Sequence, residues 1–122
     1  THGIGPVAQY INLNRGNRLT HLTSMASKAK GLHQYILEKG GAEHPNASVE
    51  FKLGDKITTT LRTINGETII IHHDTNLPRP YSLGFRVQGT KGIWMDVNHS
   101  IYIEGVSPSH QWGGSSRLFE AI

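Results

Sequence analysis

Two runs rich in β-branched residues flank an Asn-Gly pair, and no other stretch constrains the fold as strongly. Residues 56–64 place Ile57, Thr59, Leu61 and Thr63 at alternate positions, and residues 67–74 return with Ile69, Ile70 and Ile71. Alternation of this kind is the period of a strand. Asn65-Gly66 suits a tight reversal, because both residue types tolerate positive φ. A β-hairpin over 56–74 is therefore expected.

The flanks add elements on both sides. Pro6 fits the first turn of a helix, where its absent N–H would be unpaired anyway. Val7, Ala8, Ile11 and Leu13 form that helix's apolar stripe, and Asn14-Arg15-Gly16-Asn17 ends it. Residues 18–26 read as a strand, with Leu22, Ser24 and Ala26 on one face and His21, Thr23 and Met25 on the other. Lys28 to Lys39 reads as a second helix from the spacing of Leu32, Tyr35, Ile36 and Lys39, with Gly40-Gly41 as its stop. Residues 41–54 are loop-like. Pro78 and Pro80 interrupt the sheet. Strands follow over 82–88, 93–97 and 101–105, with turns at Gly89-Thr90-Lys91-Gly92 and His99-Ser100. The tail from Pro108 reads as a short helix or a terminal arm.

The expected architecture is one α+β domain: an open-faced antiparallel or mixed sheet, helices on one face, the other uncovered within this chain. Such a face packs on another domain or a partner subunit.

Composition narrows the function. The chain has 122 residues, 36% hydrophobic and 17% charged, enough for one core. No apolar run approaches the roughly 20 residues of a membrane span. No signal-peptide pattern opens it. The absence of cysteine excludes disulfides and thiol catalysis. The net charge of +3 comes from scattered cations without interleaved aromatics, which argues against a nucleic-acid face.

Three stretches could carry chemistry. His2 stands at the head of a Gly-Ile-Gly-Pro turn, beside helix-start N–H groups that favour anions and polar ligands. It reads either as an active-site histidine or as a surface residue. Because the motif begins at the first residue, the chain is expected to be part of a larger enzyme. Pro78-Arg79-Pro80-Tyr81-Ser82 is the second stretch: two prolines pre-position an arginine and a tyrosine that could hold a sugar, or simply stiffen a loop. His72-His73-Asp74 is a poor metal site, since strand neighbours point to opposite faces. A phosphate loop and a Gly-x-Gly-x-x-Gly turn are absent. No carboxylate pair suggests ordinary acid/base glycoside hydrolysis, and Asp55, Glu67, Asp74, Asp96 and Glu104 read as solvated.

Thr1-His2-Gly3-Ile4-Gly5-Pro6-Val7-Ala8, Asn12 to Arg18, Ser24-Met25-Ala26-Ser27, Thr75 to Ser82 and Gly89 to Gly92 together resemble the C-terminal half of glycoside hydrolase family 109. These are NAD-dependent α-N-acetylgalactosaminidases and their relatives within the Gfo/Idh/MocA oxidoreductases. The resemblance is good over 1–27 and 56–92, and weak over 28–55 and beyond 98. It implies that a Rossmann domain outside this chain binds NAD. The present chain would form one wall of the substrate site and the homo-oligomer interface, and would be inactive alone. It also implies oxidation at the sugar's C3, elimination of the C1–O bond after loss of the C2 proton, addition of water and return of the hydride. Thr1, His2 and Tyr81 then fall on substrate-contacting positions, with His2 beside the C3 hydroxyl as the catalytic group. No residue of this chain falls on a cofactor-binding position, and Arg79 and Arg15 read as structural. The resemblance leaves an exported parent open. Two alternatives stand: the same domain of a sugar dehydrogenase, and a stand-alone carbohydrate-binding or dimerisation module.

Overall fold

The computed structural model describes residues 2–114; Thr1 and the tail beyond Gly114 lie outside the described residues. Helix α1, Ile4–Tyr10, is followed by strand β1, Leu19–Ala26, and helix α2, Gly31–Gly40. The hairpin strands are β2, Lys56–Thr63, and β3, Thr68–Asp74. Short strands follow: β4, Arg86–Gly89; β5, Gly92–Met95; β6, Ser100–Ile103; and β7, Gly113–Gly114. The α+β class is as expected, and every strand pair is antiparallel.

The strands form two sheets, β1-β2-β3 and β4-β5-β6-β7, in place of one continuous meander. The chain divides after Arg79 into two units, one per sheet. The break falls at Pro78 and Pro80, which bring no N–H to a ladder. Residues 82–85 do not join β4 either, because Gly84 sits at φ +65° and breaks the extended run.

In the first unit the hairpin forms in register from Lys56↔Asp74 to Arg62↔Thr68. Its turn differs from a two-residue reversal. The Thr63 N–H donates to the Glu67 carbonyl at 3.0 Å, and the Gly66 N–H to the Thr63 carbonyl at 3.2 Å. Three residues, Ile64, Asn65 and Gly66, thus make the loop, and only Gly66 takes positive φ, at +98°. This is the three-residue hairpin in which the last position must be left-handed.

Cross-strand register puts Leu22, Leu61 and Ile69 on one face, with Ser24, Thr59 and Ile71 beside them. Leu61 and Ile69 are buried at 4% and 7% exposure, and Thr63 at 1%. The opposite face carries Thr23, Thr60 and Ile70, then Met25, Thr58 and His72. Met25 and Ile70 are open to solvent there, at 79% and 59%. All eight residues of β1 are exposed, as befits an edge strand.

Two polar residues organise the loops of this unit. The Asn17 side chain, 3% exposed, donates to the Ile11 carbonyl at 2.9 Å and accepts from the N–H groups of Arg18 and Asn65. It thereby fastens the end of the α1 segment to the hairpin turn. Asp55, 6% exposed, accepts from the Lys30 and Gly31 N–H groups at 2.9 Å. It satisfies donors at the start of α2 that have no intrahelical partner. Asp55 is therefore a buried cap and not a solvated position. The expected apolar stripe of α2 is largely open: Tyr35 is 59% exposed, and the helix has no buried residue.

Candidate functional site

His2 lies in the turn before α1 and is exposed. Gly3 caps the helix without a side-chain bond, and Pro6 falls in the first turn, as its missing N–H favours. Ile4, Val7, Ala8 and Ile11 are half-buried, and His2 is exposed. Thr1, its expected companion, lies outside the described residues.

Tyr81 is 88% exposed in the loop before β4. His2 belongs to the first unit and Tyr81 to the second. Arg79 is engaged locally: its Nε lies 3.6 Å from Asp74 Oδ2, and its Nη2 donates to the Asp74 carbonyl at 3.5 Å. This tie from the end of β3 back onto its own loop fits the structural reading of Arg79. Arg15 is exposed, with its backbone N–H bonded to the Asn12 carbonyl.

Glu67 and His72 of the first unit are engaged structurally, whereas Asp74 Oδ1 is buried without a hydrogen-bond partner among the described residues. Glu67 accepts from the Thr63 hydroxyl and the Asn17 amide, and the Thr63 hydrogen bond comes first in holding its carboxyl below the ordinary value. His72 Nδ1 meets Thr58 Oγ1 at 3.3 Å across the strands. Among the described residues no group of three His, Asp or Glu side chains could hold a metal ion. Likewise no helix is long and apolar enough to cross a membrane.

The described residues do not form the parallel-strand frame of a dinucleotide site. Such a cofactor sits at the carboxyl ends of parallel strands, over a Gly-rich turn opening a helix. Here every named strand pair among the described residues is antiparallel.

Sequence reasoning missed Asn17 and Asp55, whose bonds join residues far apart in the chain. It also missed a cleft in the second unit formed by Tyr102 and residues 109–112. The only local sign of that cleft is a tryptophan and a histidine crowded behind Pro108-Ser109.

Fold and exposed residues together define an antiparallel-sheet domain with its polar side chains at loop ends. Comparison with known proteins gives the family. The family model for the C-terminal domain of glycosyl hydrolase 109 matches residues 1–121, and the chain belongs to that family. A glycosyl hydrolase family 109 protein of Stenotrophomonas maltophilia is 66% identical over 113 residues, 92% of this chain and 25% of that protein. An alpha-N-acetylgalactosaminidase of Tannerella forsythia is 55% identical over 120 residues, 98% of this chain and 26% of that protein. A family 109 protein of Parabacteroides distasonis is 52% identical over the same length. The chain spans about a quarter of the length of these relatives. The likeness includes residues 28–55 and the tail, where the sequence motifs by themselves gave little.

Proposed function

We propose that this chain is the substrate-facing and self-associating domain of a glycosidase acting on α-N-acetylgalactosaminides. The observation that carries this reading is the 55% identity, across 98% of the chain, to a relative named for that activity. The reading assigns NAD to a Rossmann domain outside this sequence. It assigns to this chain the binding and orientation of the sugar.

Within that reading His2 is the catalytic group, exchanging a proton with the sugar's C3 hydroxyl. An exposed imidazole at a helix head is free to reach a ligand. Tyr81 contacts the sugar through its ring or hydroxyl; its exposure leaves both available. Thr1 belongs to the same contact. The open face bearing Met25 and Ile70 is where copies of the protein associate.

The full-length protein should release aglycone from p-nitrophenyl N-acetyl-α-galactosaminide without net accumulation of NADH. Stoichiometric NADH would instead make it a sugar dehydrogenase, and neither product would favour a binding module. His2→Ala should lower turnover by about 100-fold or more; wild-type turnover would remove His2 from the mechanism. This chain alone should show no turnover, and should self-associate in light scattering. A strictly monomeric profile at high concentration would overturn the assignment of the open face.

A further inference from the structure

A cleft of about 380 Å³ opens in the second unit, and neither His2 nor Tyr81 lines it. Ile93 and Tyr102, paired across β5 and β6, form one side. Ser109, His110, Gln111 and Trp112 form the other. The connection carrying these four is tied at both ends. Near β6, the Ser107 N–H donates to the Ile103 carbonyl at 2.8 Å, and Ser107 Oγ accepts from the Ile103 N–H at 2.9 Å. Beyond Trp112, Gly113 pairs with Ile101. His110 sits at φ +58°, a region disfavoured for a residue with a Cβ. The walls are thus held in place before any ligand arrives, which reduces the ordering that binding would require.

The lining selects a chemistry. Trp112 is 50% exposed and offers a ring face. The Tyr102 hydroxyl donates to Glu104 Oε2 at 2.9 Å, which fixes its ring. That carboxylate also favours the protonated phenol, raising its pKa. Ser109, His110 and Gln111 supply hydrogen-bond donors and acceptors. No Lys, Arg, Asp or Glu lines the cleft among the described residues, and the Glu104 carboxylate bonded to Tyr102 disfavours an anionic ligand. A purely apolar ligand would leave the polar groups unused. A pyranose ring matches both parts, with an apolar C–H face for the rings and a rim of neutral hydroxyls. The volume is near the small end of the roughly 300–1,000 Å³ usual for ligand sites, suited to a single ring.

We infer that this cleft binds a neutral pyranose ring, as a carbohydrate-holding site built from residues other than His2 and Tyr81. The inference stands on the cleft and does not require the glycosidase reading.

The test is calorimetric titration of the full-length protein with lactose and methyl α-galactoside as neutral probes, and N-acetylneuraminic acid as the anionic contrast. At least one neutral probe should bind saturably, in the millimolar range expected of a small ligand. The affinity should change little with added salt, because the ligand itself carries no charge. Binding should persist in His2→Ala, fall about 10-fold in Trp112→Ala, and fall less in Trp112→Phe, which keeps a ring. Absence of saturable binding by both neutral probes would overturn the inference. So would wild-type affinity in a folded Trp112→Ala, or an anionic sugar binding as tightly as the neutral ones. Should Trp112→Ala lose its circular dichroism signature, Trp112→Phe and Gln111→Ala decide, and wild-type affinity in both would overturn the inference. Failure of the hydrolysis assay would leave each of these results standing.

Discussion

The sheet β1-β2-β3 has Leu61, Ile69 and Thr63 sealed at its centre, whereas no described residue of β4-β5-β6-β7 is fully buried. The first unit also has buried polar anchors, Asn17 and Asp55, that tie distant loops to the hairpin. The second relies on its ladders. At Gly92 an added Cβ would overlap the Tyr102 carbonyl. One unit is therefore stabilised by side chains inside it, and the other by main-chain pairing with half-covered side chains. The difference bears on function. A loosely covered sheet leaves its loops and aromatic groups open to ligands, while in the first unit Asn17 ties the end of the α1 segment to the hairpin turn.

The comparison can be broken most directly in the first core. Leu61→Ala should lower stability by about 3 kcal/mol, the usual loss for a buried leucine. Ile101→Ala, half-buried in the second sheet, should cost about 1 kcal/mol, because less area leaves water. Denaturant midpoints measure both; equal losses would abolish the contrast.

The polar anchors come next. Asp55→Ala leaves two helix-start donors without their acceptor and should cost about 2 kcal/mol. Amide exchange should rise chiefly in the first turn of α2. Uniform protection there would show that Asp55 is not the cap. In the second sheet, Gly92→Ala must push β6 away and should cost about 1–2 kcal/mol, with faster exchange confined to β5 and β6.

The smallest effect is one of pH. The Glu67 carboxyl is held below its ordinary value of 4.5, first by the Thr63 hydroxyl. A carboxylate depressed in the folded state binds fewer protons there than in the unfolded chain. Its contribution is therefore present above the unfolded value and is lost as pH falls through the folded one. Glu67→Gln should flatten the acid side of the stability curve below about pH 4.5 and leave its neutral part nearly unchanged. An unchanged acid slope would mean that Glu67 is not held in this way.

Local chemistry made much of the fold legible. The alternation over 56–74 specified the hairpin, since a period of two and a turn glycine act between neighbours in the chain. The helix over 31–40, the strand over 19–26 and the interruption at Pro78 and Pro80 followed from similarly local signals. Strand 86–89 came out shorter than its alternation suggested, because the left-handed Gly84 ends the extended run. The motif around His2 and Tyr81 was legible as family likeness, and the family match over residues 1–121 agrees with it.

What the sequence determined by itself was the order and type of the elements from α1 to β6 and the family, because periodicity, turn chemistry and motif spacing are written along the chain; strand β7 falls where the sequence reads as a short helix or a terminal arm. Only the tertiary structure decided that the strands divide into two sheets and that Asp55 is buried at the head of α2. Only it showed Asn17 bonding to Glu67, 50 residues away, and Tyr102 sharing a cleft with Trp112. Those outcomes depend on which distant donors and acceptors meet once water is excluded. A carboxylate or an aromatic ring looks the same in the sequence whether it will be solvated, capped or set in the wall of a cleft.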